Sequence, residues 1–118
     1  MSISVIIPAY NAEKYLAEAI ESALHQTRPA KEIVVVDDGS SDRTLEVVQS
    51  FGEKVRIIQH EANQGVGAAR NTGVAASDGD YVAFLDAADK WLPEHLEKLA
   101  GLLDMWPETR LAFCQIEF

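Results

Sequence analysis

Cysteine, long apolar runs and basic residues are all scarce in this chain of 118 residues. The single cysteine, Cys114, cannot form an internal disulfide, and a cysteine-rich zinc site is excluded. The apolar run at 33–36 is far shorter than the ~20 residues that a membrane span needs. Because no basic segment precedes the first apolar stretch, we expect no secretory signal. These absences predict a cytoplasmic domain, with peripheral membrane contact left open for a longer protein.

The charge balance is strongly acidic. Ten Lys and Arg residues stand against 19 Asp and Glu residues, which gives a formal net charge of −9. Such a chain is a poor candidate for binding nucleic acid, because phosphates would be repelled over most of its surface. Hydrophobic residues make up 47% and charged residues 25%, which is typical of a globular protein. The length predicts a single domain over 1–118.

Five short apolar runs alternate with four helical patterns. The runs lie at 3–7, 33–36, 55–58, 81–85 and 111–116, and such runs are typical of strands buried on both faces of a sheet. The helices are predicted from apolar residues spaced three and four apart, which are Leu16, Ala19, Ile20, Ala23 and Leu24; Leu45, Val48 and Phe51; Ala68, Ala69, Val74 and Ala75; and Leu96, Leu99, Ala100 and Leu103. Asn11 is the expected cap of the first helix, with Glu13 in its first turn.

This alternation of strand and helix predicts an α/β fold with an open, mostly parallel sheet of Rossmann-like type. The chain ends at or just after the fifth predicted strand. A strand left open there would favour self-association, because an unpaired edge invites pairing with another chain.

Acidic residues follow two of the predicted strands. Asp37 and Asp38 follow the second, and Asp86 and Asp89 follow the fourth. Ligands of open parallel sheets bind outside the carboxyl ends of the strands. Two carboxylates about 5 Å apart repel by roughly 3 kcal/mol at an effective dielectric of ~20, so a cation or hydrogen-bond donors must offset the charge. A metal-bound nucleoside diphosphate meets both needs, since Mg²⁺ and Mn²⁺ take carboxylate oxygens and bridge phosphates.

A purely structural interpretation is the alternative for the same residues, because Asp, Ser and Gly after a strand are common turn formers and helix caps. For Ser40, Ser41 and Asp42 that interpretation is favoured. For the two Asp pairs, turn formation and ligand binding are equally open on the residues alone.

Four segments follow one another in an order known from one enzyme family. They are SVIIPAYNAEKYLAEAIESALHQT (4–27), EIVVVDDGSSDRT (32–44), NQGVGAARNTGVAASDGDYVAFLDAAD (63–89) and WLPEHLE (91–97). Together they resemble family two glycosyltransferases, which are inverting, nucleotide-sugar-dependent enzymes of GT-A fold. The resemblance implies that this chain is the donor-binding half of such an enzyme, with a UDP-type sugar as its donor.

The resemblance also assigns roles. Pro8, Ala9 and Tyr10 resemble the platform for the nucleobase. Asp38 is similar to the carboxylate that reads the base, with Asp37 beside it. Arg70 is implied to lie near the diphosphate.

The fourth strand end carries the implied metal motif, and here the chain departs from the family. Asp86 resembles the first Asp of the D-X-D motif, but Ala88 stands where the second, metal-ligating Asp is usual. The resemblance therefore implies Mg²⁺ or Mn²⁺ binding weakened by Ala88, with Asp86 and Asp89 as the remaining candidate ligands. No segment resembles the family's acceptor surface or general base. The resemblance therefore does not indicate which saccharide or lipid-linked acceptor is used, and we expect weak or no activity of this chain alone.

Two other functions compete with a sugar transferase. A receiver module would need a phosphorylatable Asp after the third strand, where this chain has His60 and Glu61. A non-catalytic nucleotide-binding or assembly relative of the family is favoured by Ala88.

The remaining candidate side chains are expected to be structural. His60 and His95 lack partners at metal-ligand spacing, and His25 lies near the predicted C-terminus of the first helix. The two tryptophans, Trp91 and Trp106, are expected to pack the last helix.

Overall fold

The structure is a computed structural model, and it describes residues 2–105. The elements in chain order are β1 (Ile3–Ala9), α1 (Leu16–Leu24), β2 (Glu32–Asp37), α2 (Thr44–Gln49), a short 3₁₀ turn (Gly52–Lys54), β3 (Arg56–Gln59), α3 (Val66–Ala76), β4 (Tyr81–Phe84) and α4 (His95–Met105). The predicted fifth strand, with Leu111, Ala112, Phe113 and Ile116, lies outside the described residues, as does the self-association expected at its edge.

The four described strands form one sheet in the order β3-β2-β1-β4, and every pair is parallel. The chain therefore builds outward from β1 through β2 to β3, and then returns to place β4 on the other side of β1. This confirms the predicted α/β fold. It also locates the reversal of strand order between β1 and β4, which is where ligands of such sheets bind.

Two apolar layers cover the sheet, because successive strand residues point to opposite faces. On one face, Ile3, Val5 and Ile7 of β1 pack in a single buried cluster with residues of α1, α2 and α4. On the other face, Ile6 packs with Val34, Val36 and Ala69 of α3. Gly73 of α3 lies so close to Ile6 that a Cβ would collide with its side chain, which explains why a small-residue helix covers this face.

The helices α1 and α4 follow their predicted apolar spacing, whereas α2 and α3 follow it only in part, because Phe51 lies after the end of α2 and Val74 and Ala75 of α3 are exposed. Leu16, Ala19, Ile20 and Ala23 of α1 are buried, and so are Leu96, Leu99, Ala100 and Leu103 of α4. Full burial of such a side chain stabilises the fold by about 1.5–3 kcal/mol. Trp91 is also buried and stacks on His95 with 4.3 Å between ring centroids, which confirms that it packs against the last helix.

Two further local predictions were wrong. The strands β3 and β4 are not buried on both faces: Arg56 and Phe84 are exposed, because these strands are the edges of the described sheet. Asn11 does not cap α1, which begins at Leu16 after Tyr15 and carries Glu18, not Glu13, in its first turn. An extra turn, in which the Ala12 carbonyl accepts the N–H groups of Tyr15 and Leu16, separates Asn11 from the helix.

Within residues 2–105, no helix combines the length and the apolar character that crossing a membrane would require.

Candidate functional site

A pocket of about 420 Å³ opens where β1 and β4 end, at the reversal of strand order. Loops after β1, β2, β3 and β4 and the start of α3 all contribute to it. Its lining residues are Pro8, Ala9, Tyr10, Asn11, Ala12, Tyr15, Asp38, Asn63, Gly65, Val66, Ala69, Asp86, Ala87 and Ala88. Asp38 and Asp86, which follow different strands, thus share one cavity.

The lining contains some of the residues predicted for donor binding and omits others. Pro8, Ala9, Tyr10, Asp38 and Asp86 belong to it.

Asp37, Arg70 and Asp89 were also predicted to bind the donor or a metal, and they do not belong to the pocket lining. Asp37 is the last residue of β2 and is 1% exposed. Its Oδ1 accepts the N–H of Ser40 at 3.2 Å, so its carboxylate shapes the turn that follows.

The Asp38 carboxylate is buried and held by three donors. Its Oδ1 accepts hydrogen bonds from His60 Nδ1 at 2.8 Å and from the Gln64 N–H at 2.9 Å, and its Oδ2 accepts the Gly65 N–H at 2.9 Å. Burial alone would raise the pKa of Asp38, but the hydrogen bonds from His60, Gln64 and Gly65 outweigh it and lower that pKa. The carboxylate is therefore ionised at neutral pH, and it fixes the loop after β3 against β2.

Two tyrosine rings stand at the pocket. Tyr10 is 51% exposed and Tyr15 is 55% exposed, although large aromatic side chains are usually well covered. Exposed aromatic faces beside a polar group are typical of sites that stack a planar ligand. The sequence did not predict Tyr15 as a pocket residue. Tyr15 lies before α1, where the helical spacing of apolar residues does not apply.

The loop after β1 is tied to the loop after β2. Asn11 adopts a left-handed conformation with φ 47°, and its Oδ1 accepts the Ser41 N–H at 2.9 Å. The buried Thr44 hydroxyl accepts the Ala12 N–H at 2.8 Å. Asp42 in turn accepts the Thr44 N–H at 2.9 Å, just before α2. The structural interpretation of Ser41 and Asp42 is confirmed, since these residues brace the turn that presents Tyr10.

Among the described residues after β4, only one carboxylate, that of Asp86, lines the pocket, where a cation is expected. Asp86 is exposed in the pocket, and its Oδ1 accepts the Ala88 N–H at 2.9 Å. Asp89 donates its N–H to the Asp86 carbonyl, and its side chain is not in the lining. Among residues 2–105, no three His, Cys, Asp or Glu side chains come together to hold a metal ion. The described residues therefore fit only a cation that arrives with phosphate ligands of its own.

Arg70 is not part of the pocket lining. Its guanidinium carbon is 5.5 Å from the centroid of the Phe84 ring, which is a cation–π distance. Phe84 is 41% exposed at the end of β4, so the guanidinium lies over an exposed ring at that strand end.

The first turn of α3 faces the pocket through Gly65 and Val66. The first N–H groups of any helix lack an intrahelical acceptor and carry a partial positive charge. No acidic residue lies in the first turn of α3, but the Asp38 carboxylate already accepts the N–H of Gly65, the residue that precedes this turn.

Of the three histidines, His25 is exposed and donates to its own helix, and His95 is buried against Trp91. His60 was expected to be structural, without partners at metal-ligand spacing, and in the structure its ring contacts Asp38 directly. Spacing could not reveal this contact, because the two residues belong to different strand ends.

The chain matches the family model described as Glycosyl transferase family 2 over residues 4–109. It is 48% identical over 103 residues to an uncharacterised glycosyltransferase of Nostoc sp., covering 84% of this chain and 32% of that protein. It is 40% identical over 99 residues to the putative teichuronic acid biosynthesis glycosyltransferase TuaG of Bacillus subtilis, covering 81% of this chain and 39% of TuaG. The chain thus spans about a third of the length of these relatives.

Solved structures agree in fold. S. aureus TarS in complex with UDP-GlcNAc superposes with a TM-score of 0.81 at 38% identity, over 89% of this chain and 32% of that one. The mannosyltransferase PcManGT of Pyrobaculum calidifontis, solved with GDP-Man and Mn²⁺, has a TM-score of 0.80 at 27% identity, over 86% of this chain and 32% of that one. The GT-A type of fold is confirmed, and the chain belongs to glycosyltransferase family 2.

Proposed function

We propose that this chain is the donor-binding half of a glycosyltransferase that takes its sugar from a UDP-sugar. The observation that carries the proposal is that Tyr10, Asp38 and Asp86 line one pocket at the reversal of strand order. Tyr10 supplies an aromatic face, Asp38 supplies an acceptor for the base, and the start of α3 supplies N–H groups for the diphosphate.

The nucleobase is expected beside Tyr10 and Asp38. The exposed Tyr10 ring offers a stacking face, and the ionised Asp38 carboxylate accepts an N–H donor from the base edge. The neighbouring structure of TarS with UDP-GlcNAc supports a uridine nucleotide, since its chain is 38% identical to this one.

The diphosphate is expected near the first turn of α3. Val66, the first residue of α3, lines the pocket, and the N–H groups of a helix's first turn favour an anion; Arg70 of the same helix adds a positive charge. Asp86 and the diphosphate oxygens would together hold Mg²⁺ or Mn²⁺, which would offset the charge of the leaving nucleoside diphosphate.

The proposed reaction is an inverting transfer. An acceptor hydroxyl attacks the anomeric carbon of the sugar, a general base removes the hydroxyl proton, and the bond to the diphosphate oxygen breaks. The described residues serve the leaving-group side of this reaction. The acceptor, a saccharide or a lipid-linked saccharide, and the base are assigned to the rest of a longer protein, which we expect to be cytoplasmic and peripheral to the membrane.

A non-catalytic relative that binds nucleotide without transfer is the second candidate, and Ala88 is the observation that favours it. A full-length protein that binds UDP but neither transfers nor hydrolyses a UDP-sugar would support that candidate.

Calorimetry of the 118-residue chain with UDP, with and without Mn²⁺, tests the proposal. We expect UDP to bind, and Asp38→Ala to abolish that binding because the base loses its acceptor. The matched variant Asp78→Ala removes an exposed carboxylate outside the pocket and should bind UDP as the unchanged chain does. Absence of UDP binding at millimolar concentration, with and without Mn²⁺, would refute the proposal.

Ala88→Asp tests the metal assignment separately. Restoring a second carboxylate beside Asp86 should increase Mn²⁺-dependent UDP affinity by at least about 10-fold, since lost metal partners commonly cost 10- to 100-fold. Ala75→Asp adds the same charge at an exposed position of α3 outside the pocket, and should leave the Mn²⁺ dependence unchanged. Equal Mn²⁺ dependence in both variants would contradict the assignment.

A further inference from the structure

His60 connects the base-reading carboxylate to α3. Its Nδ1 donates to Asp38 Oδ1 at 2.8 Å and its Nε2 lies 2.8 Å from the Thr72 hydroxyl. Its backbone N–H also donates to the Asp37 carbonyl at 2.9 Å. The His60 side chain is 9% exposed and the Asp38 side chain is 3% exposed, so the contact is shielded from water. A ring held at both of its nitrogens, on a backbone that is itself hydrogen-bonded, has one orientation.

This arrangement leaves the Asp38 carboxylate with a single free acceptor position. An ionised carboxylate offers about four lone-pair sites, two on each oxygen. His60 and Gln64 take both sites on Oδ1, and Gly65 takes one on Oδ2. The remaining site, on Oδ2, can accept one donor from a ligand in the pocket that Asp38 lines.

Nucleobases differ in how many donors they present side by side. Uracil presents one N–H, at N3, between two carbonyl oxygens. Guanine presents an N–H and an amino group next to each other, and these two donors are best matched by both oxygens of an unoccupied carboxylate. With Oδ1 saturated, guanine would leave one buried donor unpaired, which is costly.

We propose that His60 is a positioning residue that saturates Asp38 Oδ1 and thereby makes the site select uridine over guanosine diphosphates. The inference rests on the proposed function and extends it to the origin of base selectivity. His60 does not contact the nucleotide in this proposal; it acts through Asp38.

Three variants separate positioning from simple structural support. His60→Asn keeps an N–H donor near the position of Nδ1, and His60→Phe keeps a ring without any donor. His25→Ala is the matched control, because His25 is exposed and bonds only to Glu21 of its own helix. UDP and GDP are titrated into each chain, and the backbone amide signals of Gln64 and Gly65 are followed by NMR without nucleotide.

We expect the unchanged chain to bind UDP at least about 10-fold more tightly than GDP. The reason is that one donor of guanine finds no free acceptor on the Asp38 carboxylate. His60→Phe should reduce UDP affinity about 10-fold and bring the two affinities within about 3-fold of each other. His60→Asn and His25→Ala should keep the preference. In His60→Phe the amide protons of Gln64 and Gly65 should move, because Asp38 loses its anchor.

Each alternative result is decisive. Equal UDP and GDP affinity in the unchanged chain would contradict the inference that Asp38 has a single free acceptor position. A UDP preference that survives in His60→Phe, or amide signals that do not move there, overturns the positioning role while the proposed function stands. Binding of neither nucleotide refutes the proposed function, and with it the selectivity, but the amide shifts then still report whether His60 orients Asp38.

Discussion

Replacing Gly39 with alanine tests how tightly the loops after β2 and β3 are joined. Gly39 has φ +70°, and a Cβ on it would lie 2.6 Å from the Ala62 carbonyl carbon and 2.6 Å from the Asn63 nitrogen. Both atoms are backbone, so the clash is relieved only by moving the loop that donates two N–H groups to Asp38. The substitution therefore disturbs stability and the pocket together.

The cost has two parts. A left-handed conformation costs a residue with a Cβ about 1–2 kcal/mol. Overpacking against atoms that cannot yield costs about 1–3 kcal/mol more. The expected loss for Gly39→Ala is thus about 2–5 kcal/mol in the free energy of unfolding, a large share of the ~5–15 kcal/mol that such a domain has.

Gly52 supplies the matched control. It has a similar φ of +61°, but nothing lies within 4 Å of a Cβ placed on it. Gly52→Ala should therefore cost only the conformational part, about 1–2 kcal/mol, and should leave the pocket unchanged.

Urea unfolding measured by tryptophan fluorescence gives the two free energies, and a UDP titration gives the two affinities. We expect Gly39→Ala to be at least about 1 kcal/mol less stable than Gly52→Ala and to bind UDP more weakly. If the two variants have equal stability and equal UDP affinity, the close approach of the two loops does not matter and the reasoning fails.

Three further predictions concern the pocket wall, a buried hydrogen bond and the pH dependence of stability. Tyr10→Ala should weaken UDP binding about 10-fold, whereas Tyr10→Phe should not, because stacking needs the ring; equal calorimetric affinities would remove Tyr10 from the site. Thr44→Val should lower the free energy of unfolding in urea by about 1–3 kcal/mol, since the Ala12 N–H loses its buried acceptor; an unchanged midpoint would contradict this. Burial lowers the pKa of His95 from its usual 6.5, so the unfolded chain gains a proton first and stability should fall as pH drops below about 6.5. His95→Phe should flatten this decline, and identical pH profiles would refute the assignment. Hydrogen bonds hold the pKa of Asp38 low, against the effect of burial, so its contribution is present above its unfolded pKa and is lost only as pH falls through the lower folded pKa.

The sequence determined the local elements of this protein. The β-branched run at 33–36 became the buried part of strand β2, and the apolar spacing of Leu96, Leu99 and Leu103 became the buried face of α4. These predictions succeeded because strand and helix periodicity depend on near neighbours in the chain. The sequence also placed Asp38 and Asp86 at strand ends, and hence at one edge of a parallel sheet.

Only the tertiary structure decided which strand ends meet. The insertion of β1 between β2 and β4 brings Asp38 and Asp86 to one pocket, and the same arrangement leaves Asp37 and Arg70 outside its lining. The contact of His60 with Asp38 joins residues 22 positions apart through a parallel strand pair. No local pattern encodes such a contact, because it depends on how distant strands pair and in what register, which packing of the whole core settles.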